Sequence, residues 1–225
     1  MTSFSGIFNI LATPFTPDGA VDGVSLRRLV EFQLARGAYG LTILGVLGEA
    51  AKLTVDERRA VMENVLETVN GRVPVIVGTS HRERAASLAL SRAAFAAGAQ
   101  GVMVAPPPME SPTDADIIAL YAELADAVGD GAIVVQDFPP VNNITMTPHM
   151  LAALAESVPT ARTLKLEDPP LMQKIGAIRA LTNQYAIFGG LGGMFLLEEL
   201  ERGAVGTMTG FAFTEILVAV YEAFT

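Results

Sequence analysis

A single-domain (β/α)8 barrel over residues 1–225 is the fold this sequence predicts, and three observations carry it. Short β-branched runs alternate with longer segments of helical period from one end of the chain to the other. Eight such runs in 225 residues leave 225/8, about 28 residues for each strand–helix unit, which is the economy of a barrel with few insertions. No linker or shift of composition marks a second domain. A doubly wound open sheet is the rival. It would open with a strand–GxGxxG–helix turn and an acidic residue about 20 positions on, whereas the first strand here runs into Thr13-Pro14-Phe15.

The predicted strands, in order, are Ile7 to Ala12, Gly40 to Leu44, Val73 to Val77, Gly101 to Ala105, Ala132 to Gln136, Arg162 to Leu166, Tyr185 to Phe188 and Ala204 to Met208. The helices between them have legible starts. After the second strand, Thr54 with Glu57 three residues on makes a capping box, and the helix that follows sets Val61, Val65, Leu66 and Val69 on one stripe toward a sheet. After the fourth, Thr113 with Asp116 is a weaker version of the same device. After the fifth and sixth, Thr147-Pro148 and Asp168-Pro169 each place a capping side chain before a proline at the first helical position, where the missing N–H costs nothing. The last helix, Glu215 to Thr225, spaces Ile216, Val220 and Phe224 at four and ends without glycine or a basic turn, so the natural protein is expected to continue.

Composition narrows the function classes. Half the chain is hydrophobic (51%) and 17% is charged, enough to fill one large core and to exclude disorder. With no cysteine there is no disulfide, thiolate nucleophile or cysteine-bound zinc. Twenty-four acidic against fifteen basic side chains give a net charge of -9, which repels phosphate backbones and anionic lipid. The N-terminus has no basic region before its apolar residues and no run reaches membrane-spanning length. The expectation is a cytoplasmic protein with neither nucleic-acid nor membrane partners.

In such a barrel the working face is the C-terminal end of the strands. The chain has three lysines, Lys52, Lys165 and Lys174. Lys52 follows a loop and Lys174 sits in a helix. Lys165 lies inside a strand, in Thr163-Leu164-Lys165-Leu166, and the period of two sets it opposite both leucines, pointing into the barrel. A lysine paired at the mouth with Glu167 or Asp168 is the plainer alternative. A free lysine with pKa about 10.4 is well under 0.1% neutral at pH 7, and desolvation raises that fraction about tenfold for each step down in pKa. A neutral amine attacks a ketone to give an imine, which draws electrons from the neighbouring carbon and opens aldol cleavage or β-elimination.

Gly45-Val46-Leu47-Gly48-Glu49 after strand two, Val104-Ala105-Pro106 after strand four and Leu164-Lys165 in strand six resemble the dihydrodipicolinate synthase and N-acetylneuraminate lyase superfamily of Schiff-base barrels, over nearly the whole chain. The resemblance implies that Lys165 is the imine-forming residue, that a 2-keto acid is the small-molecule substrate, that no cofactor is needed, and that the protein is a homotetramer. It also implies a C-terminal helical extension, most of which this chain lacks. The chain departs from the family pattern where two threonines are replaced by Val46 and Leu47, tyrosines by Pro107 and Pro108, and the tyrosine of strand five by Gln136. Gln136-Asp137-Phe138-Pro139, Lys165-Leu166-Glu167-Asp168 and Gly189-Gly190-Leu191-Gly192-Gly193 look more like a sugar-acid branch, similar to 2-keto-3-deoxyarabonate dehydratases. Dehydration of a 2-keto-3-deoxy sugar acid is therefore the expected reaction. The alternatives are aldol condensation or cleavage, and a barrel that binds a keto acid without turnover.

With the hydroxyl relay replaced, other groups must move protons. Asp137 leaves strand five and His81 leaves strand three, so both are candidates; their plainer readings are a turn aspartate and a helix-start residue. Gly45, Val46 and Leu47 can offer backbone N–H groups to a substrate carboxylate. Gln136, Gly190 and Thr209 complete the expected substrate site. Glycines after strand seven also bind phosphate in many barrels, but no matching basic loop follows strand eight, where Thr209-Gly210-Phe211 stands. His81 and His149 are far apart in a chain without cysteine, and no metal site is expected.

Overall fold

The computed structural model describes residues 4–225. Eight parallel strands close into a barrel in sequence order: β1 (Gly6–Ile10), β2 (Gly40–Ile43), β3 (Val75–Gly78), β4 (Gly101–Val104), β5 (Ala132–Asp137), β6 (Thr163–Leu166), β7 (Ala186–Gly189) and β8 (Gly206–Thr209). Each lies within a residue or two of its predicted run. Around them run α1 (Gly23–Ala35), α2 (Val55–Val69), α3 (Arg84–Ala96), α4 (Asp114–Val128), the short α5 (Pro139–Asn142), α6 (Pro148–Ser157), α7 (Leu171–Leu181), α8 (Leu196–Glu201) and α9 (Thr214–Phe224).

The helix starts follow local chemistry. Thr54 and Thr113 each accept from the N–H three residues on while Glu57 and Asp116 reach back to the cap, so both capping boxes are complete. Thr147 accepts from the Met150 N–H, with Pro148 at the first helical position. The expectation at Asp168 is corrected. Pro170 is the N-cap of α7, and the Asp168 carboxylate instead binds the Lys174 ammonium at 2.6 Å. An ammonium buried in the helix layer is a stronger partner for a nearby carboxylate than an N–H of its own helix.

Register and alternation sort every strand residue to one of two cores. Pairing of Gln136 with Lys165, Lys165 with Phe188, Phe188 with Gly206 and Phe8 with Met208 runs one inward phase round the barrel. Phe4, Phe8, Ile10, Ile76, Met103, Val134, Phe188 and Met208 fill the lumen, with Phe8 and Phe188 meeting edge to face at 5.5 Å. The opposite phase, including Leu41, Val75, Val102, Leu164 and Leu166, packs under the helices. The expected α2 stripe holds, with Val61, Val65 and Val69 buried. On α9 Leu217 and Val218 are buried and Ile216, Val220 and Phe224 are exposed. Among the described residues no helix is long and apolar enough to cross a membrane.

Candidate active site

A cavity of about 430 Å³ opens at the C-terminal ends of β2 to β5. Its wall is mostly apolar, from Leu44, Met103, Ala105, Val141 and Pro106 to Pro108, and its polar side chains are Arg58, Ser80, His81, Arg82 and Gln136. The loop after β2 shapes one side. Leu44 and Glu49, at its two ends, hold left-handed backbone (φ 56° and 53°), which for a leucine is a strained choice held in place by its surroundings. The Leu44 carbonyl lies where a side chain on Gly78 would stand, and the Thr13 hydroxyl donates to the Gly48 carbonyl at 2.7 Å, so the turn is pinned on both flanks. The N–H groups of Val46, Leu47 and Gly48 meet no backbone acceptor among the described residues, which leaves them available to an anion.

Lys165 stands inside the lumen at 3% exposure. Its Nζ lies 2.8 Å from Glu167 Oε2, and the Gln136 side-chain N–H donates to the same oxygen at 3.0 Å. Gln136 borders the cavity; Lys165, its register partner on β6, stands beside it, held to the carboxylate. Burial pushes the ammonium pKa down, and the Glu167 charge works against that push. Glu167 is itself buried and packs on Gly190, where a Cβ would overlap its Cγ. The sequence reading had Glu167 only as an ion-pair partner. Its place two residues after Lys165, in the same inward phase, was the available signal that it shares the lumen mouth.

The other expected residues divide. Gly45, Val46, Gln136 and His81 border the cavity, and Gly190 backs Glu167. His81 also fills its plainer role, since its Nδ1 accepts the Glu83 N–H at 2.9 Å just ahead of α3. Leu47 turns away and fills the space a side chain on Gly210 would need. Thr209 pairs with Asn9 in the phase that faces the helices, where the Asn9 amide donates to Thr214, so it does not border the cavity. Asp137 requires the largest correction. One residue past inward Gln136, it faces the helix layer with no exposure, 2.6 Å from the Lys174 ammonium that also binds Asp168. Burial raises its pKa to about 6, with Lys174 opposing. It belongs to a structural charge cluster behind the sheet, out of reach of Lys165.

Among the described residues no group of three or more His, Asp or Glu is placed to hold a metal ion. Residues 3–218 match the family model described as the dihydrodipicolinate synthetase family. The chain belongs to that family. It is 36% identical over 225 residues to an L-2-keto-3-deoxyarabonate dehydratase of Azospirillum brasilense, an alignment covering 97% of this chain and 72% of that one. It is also 36% identical to a 4-hydroxy-tetrahydrodipicolinate synthase of Salinibacter ruber, over 72% of this chain and 53% of the relative. The chain thus spans about half the length of several curated synthases that it matches. The crystal structure of a dihydrodipicolinate synthase from Rhodopseudomonas palustris superimposes with a TM-score of 0.90 at 38% identity, covering 98% of this chain and 75% of that one.

Proposed function

We propose that this family member is a class I lyase that binds a 2-keto acid as an imine on Lys165 and eliminates water from it. The observation that carries the proposal is a desolvated amine in the lumen, beside Gln136, which borders a cavity at the barrel's working end. Lys165 attacks C2 of the keto acid, and loss of water leaves a protonated imine. The free N–H groups after β2 hold the carboxylate. Removal of a C3 proton gives an enamine; its electrons expel the C4 hydroxyl, and hydrolysis of the imine releases product and lysine. A 2-keto-3-deoxy sugar acid is the substrate class, which the near-complete alignment with the Azospirillum brasilense dehydratase favours.

Aldol chemistry on the same imine is the second reading, and the likeness to the synthases favours it. The two differ in which bond to C4 is made or broken. Borohydride added with pyruvate should trap one reduced pyruvyl group on Lys165, located by peptide mass. Lys165→Arg, which keeps the charge but cannot condense, should give none. An unmodified wild-type mass would refute the imine. Pyruvate released from a 2-keto-3-deoxy acid would assign cleavage, and a keto acid lighter by one water would assign dehydration.

A further inference from the structure

Elimination needs a group that takes a proton from C3 and delivers one to the leaving hydroxyl, and neither candidate from the sequence is paired with Lys165. Asp137 lies behind the sheet on Lys174. His81 has its Nδ1 committed to the Glu83 N–H. Val46, Leu47, Pro107, Pro108 and Gln136 carry no hydroxyl or acid. Glu167 is the one carboxylate within 4.0 Å of Lys165 Nζ among the described residues.

We propose that Glu167 is the catalytic proton carrier of this site, taking the C3 proton and returning it to the C4 hydroxyl. The inference rests on the imine reading above. Once Nζ is bonded to C2, C3 is two bonds from Nζ, and a carboxylate oxygen 2.8 Å from Nζ meets a C3 proton without main-chain movement. The C3–H bond breaks, the proton goes to Glu167, and the C–H electrons form the C2–C3 double bond as the imine nitrogen regains its lone pair. The enamine electrons then form the C3–C4 double bond while the C4–O bond breaks. The leaving oxygen takes the proton from Glu167 and departs as water. Carboxylate and iminium are both restored, and water then hydrolyses the iminium.

Two neighbours set Glu167 for this. Gln136 donates to the same Oε2 that faces Lys165, and Gly190 leaves room for the acid's stem. A carboxylate that served only as counter-ion would act in the opposite sense on the lysine, because its charge favours the ammonium. The two roles therefore predict different results for one substitution.

The test uses the whole chain with pyruvate as probe, reading borohydride trapping by mass and exchange of the methyl protons with solvent deuterium by NMR. In wild type both should occur. In Glu167→Gln trapping at pH 7 should persist at an equal or higher rate, while methyl exchange falls by about 100-fold or more, the usual worth of a positioned acid–base group. Trapping with exchange within a few-fold of wild type would overturn the role of Glu167 and leave the imine standing. A folded Glu167→Gln protein that forms no adduct would also overturn it, since the carboxylate would then serve the imine step. Absence of an adduct in wild type would refute the imine reading itself. Should circular dichroism show Glu167→Gln unfolded, Glu167→Asp takes its place: its shorter carboxylate should keep the adduct and slow exchange by about tenfold, and unchanged exchange would overturn the role.

Discussion

Replacing Glu199 by glutamine should stabilise the barrel at alkaline pH and not at acid pH. Glu199 sits in α8 at 2% exposure, with its carboxyl over Gly189 in the space a side chain there would fill. Among the described residues it has no ion-pair partner. Burial, with the Glu198 charge adding to it, raises its pKa from 4.5 to about 7. In the unfolded chain the proton leaves near 4.5, so between 4.5 and about 7 the folded protein holds more of it and stability falls as pH rises. At 1.36 kcal/mol per tenfold in proton affinity, the span from 4.5 to about 7 corresponds to about 3 kcal/mol lost by pH 8 and none below pH 4.5. Glutamine has no proton to lose. The Tm difference, variant minus wild type, should therefore grow by roughly 6–12 °C between pH 4.5 and pH 8 for a chain of this size. Thermal melts by circular dichroism at a series of pH values measure it. Asp137, raised to about 6, bends both curves alike and drops out of the difference. A difference that stays constant with pH would refute the reasoning and mean that the folded acid titrates in its ordinary range.

Two further outcomes follow from named contacts. Gly190→Ala should lower turnover by about 10- to 100-fold in the pyruvate exchange assay, because its Cβ would overlap Glu167 Cγ and move the carboxylate off the lysine. Gly190 has no left-handed backbone, so a normal rate could not be ascribed to offsetting relief of strain and would mean that Glu167 tolerates displacement. Lys174→Met should cost about 3–5 kcal/mol in urea melts at pH 8, since it strands Asp137 and Asp168 without their cation. The loss should shrink at pH 5, where Asp137 is largely protonated; equal losses at both values would contradict the charge argument.

The barrel was legible because its signal is repeated: eight strand–helix alternations average out errors of boundary at any one. Lys165 was legible because two leucines flank it and fix its phase. The same period of two, applied to β5, turns Asp137 outward once Gln136 is inward, and applied to β8 it turns Thr209 to the side of Asn9. Those placements failed where proximity to a strand exit was weighed above phase. The bridge from Lys174 to Asp137 and Asp168 was beyond local reading, because it depends on how α7 lies against β5. So was the turn of Leu47 onto Gly210, which depends on backbone at Leu44 that leucine seldom adopts.

The three lysines differ in position, and it is position that marks Lys165 as the proposed nucleophile. Lys52 is solvated, with 76% of its side chain exposed and Glu49 at 2.6 Å, and it lies outside the lumen. Lys174 is buried, yet it bridges two carboxylates at 2.6 Å behind the sheet, away from the lumen. Lys165 is buried as deeply with one carboxylate, and that carboxylate is shared with the Gln136 amide. Desolvation there is opposed by one carboxylate, where Lys174 has two. If Glu167 takes the C3 proton in the proposed step, its charge and that of the iminium are lost together, and a neutral acid stands beside a neutral enamine. Burial, which penalises separated charges, favours that neutral pair, and the enamine is the species from which water would leave. In the proposed reaction, pairing the lysine with an acid that can itself be protonated would link the state of the amine to the progress of elimination, a coupling that a permanently charged partner could not supply.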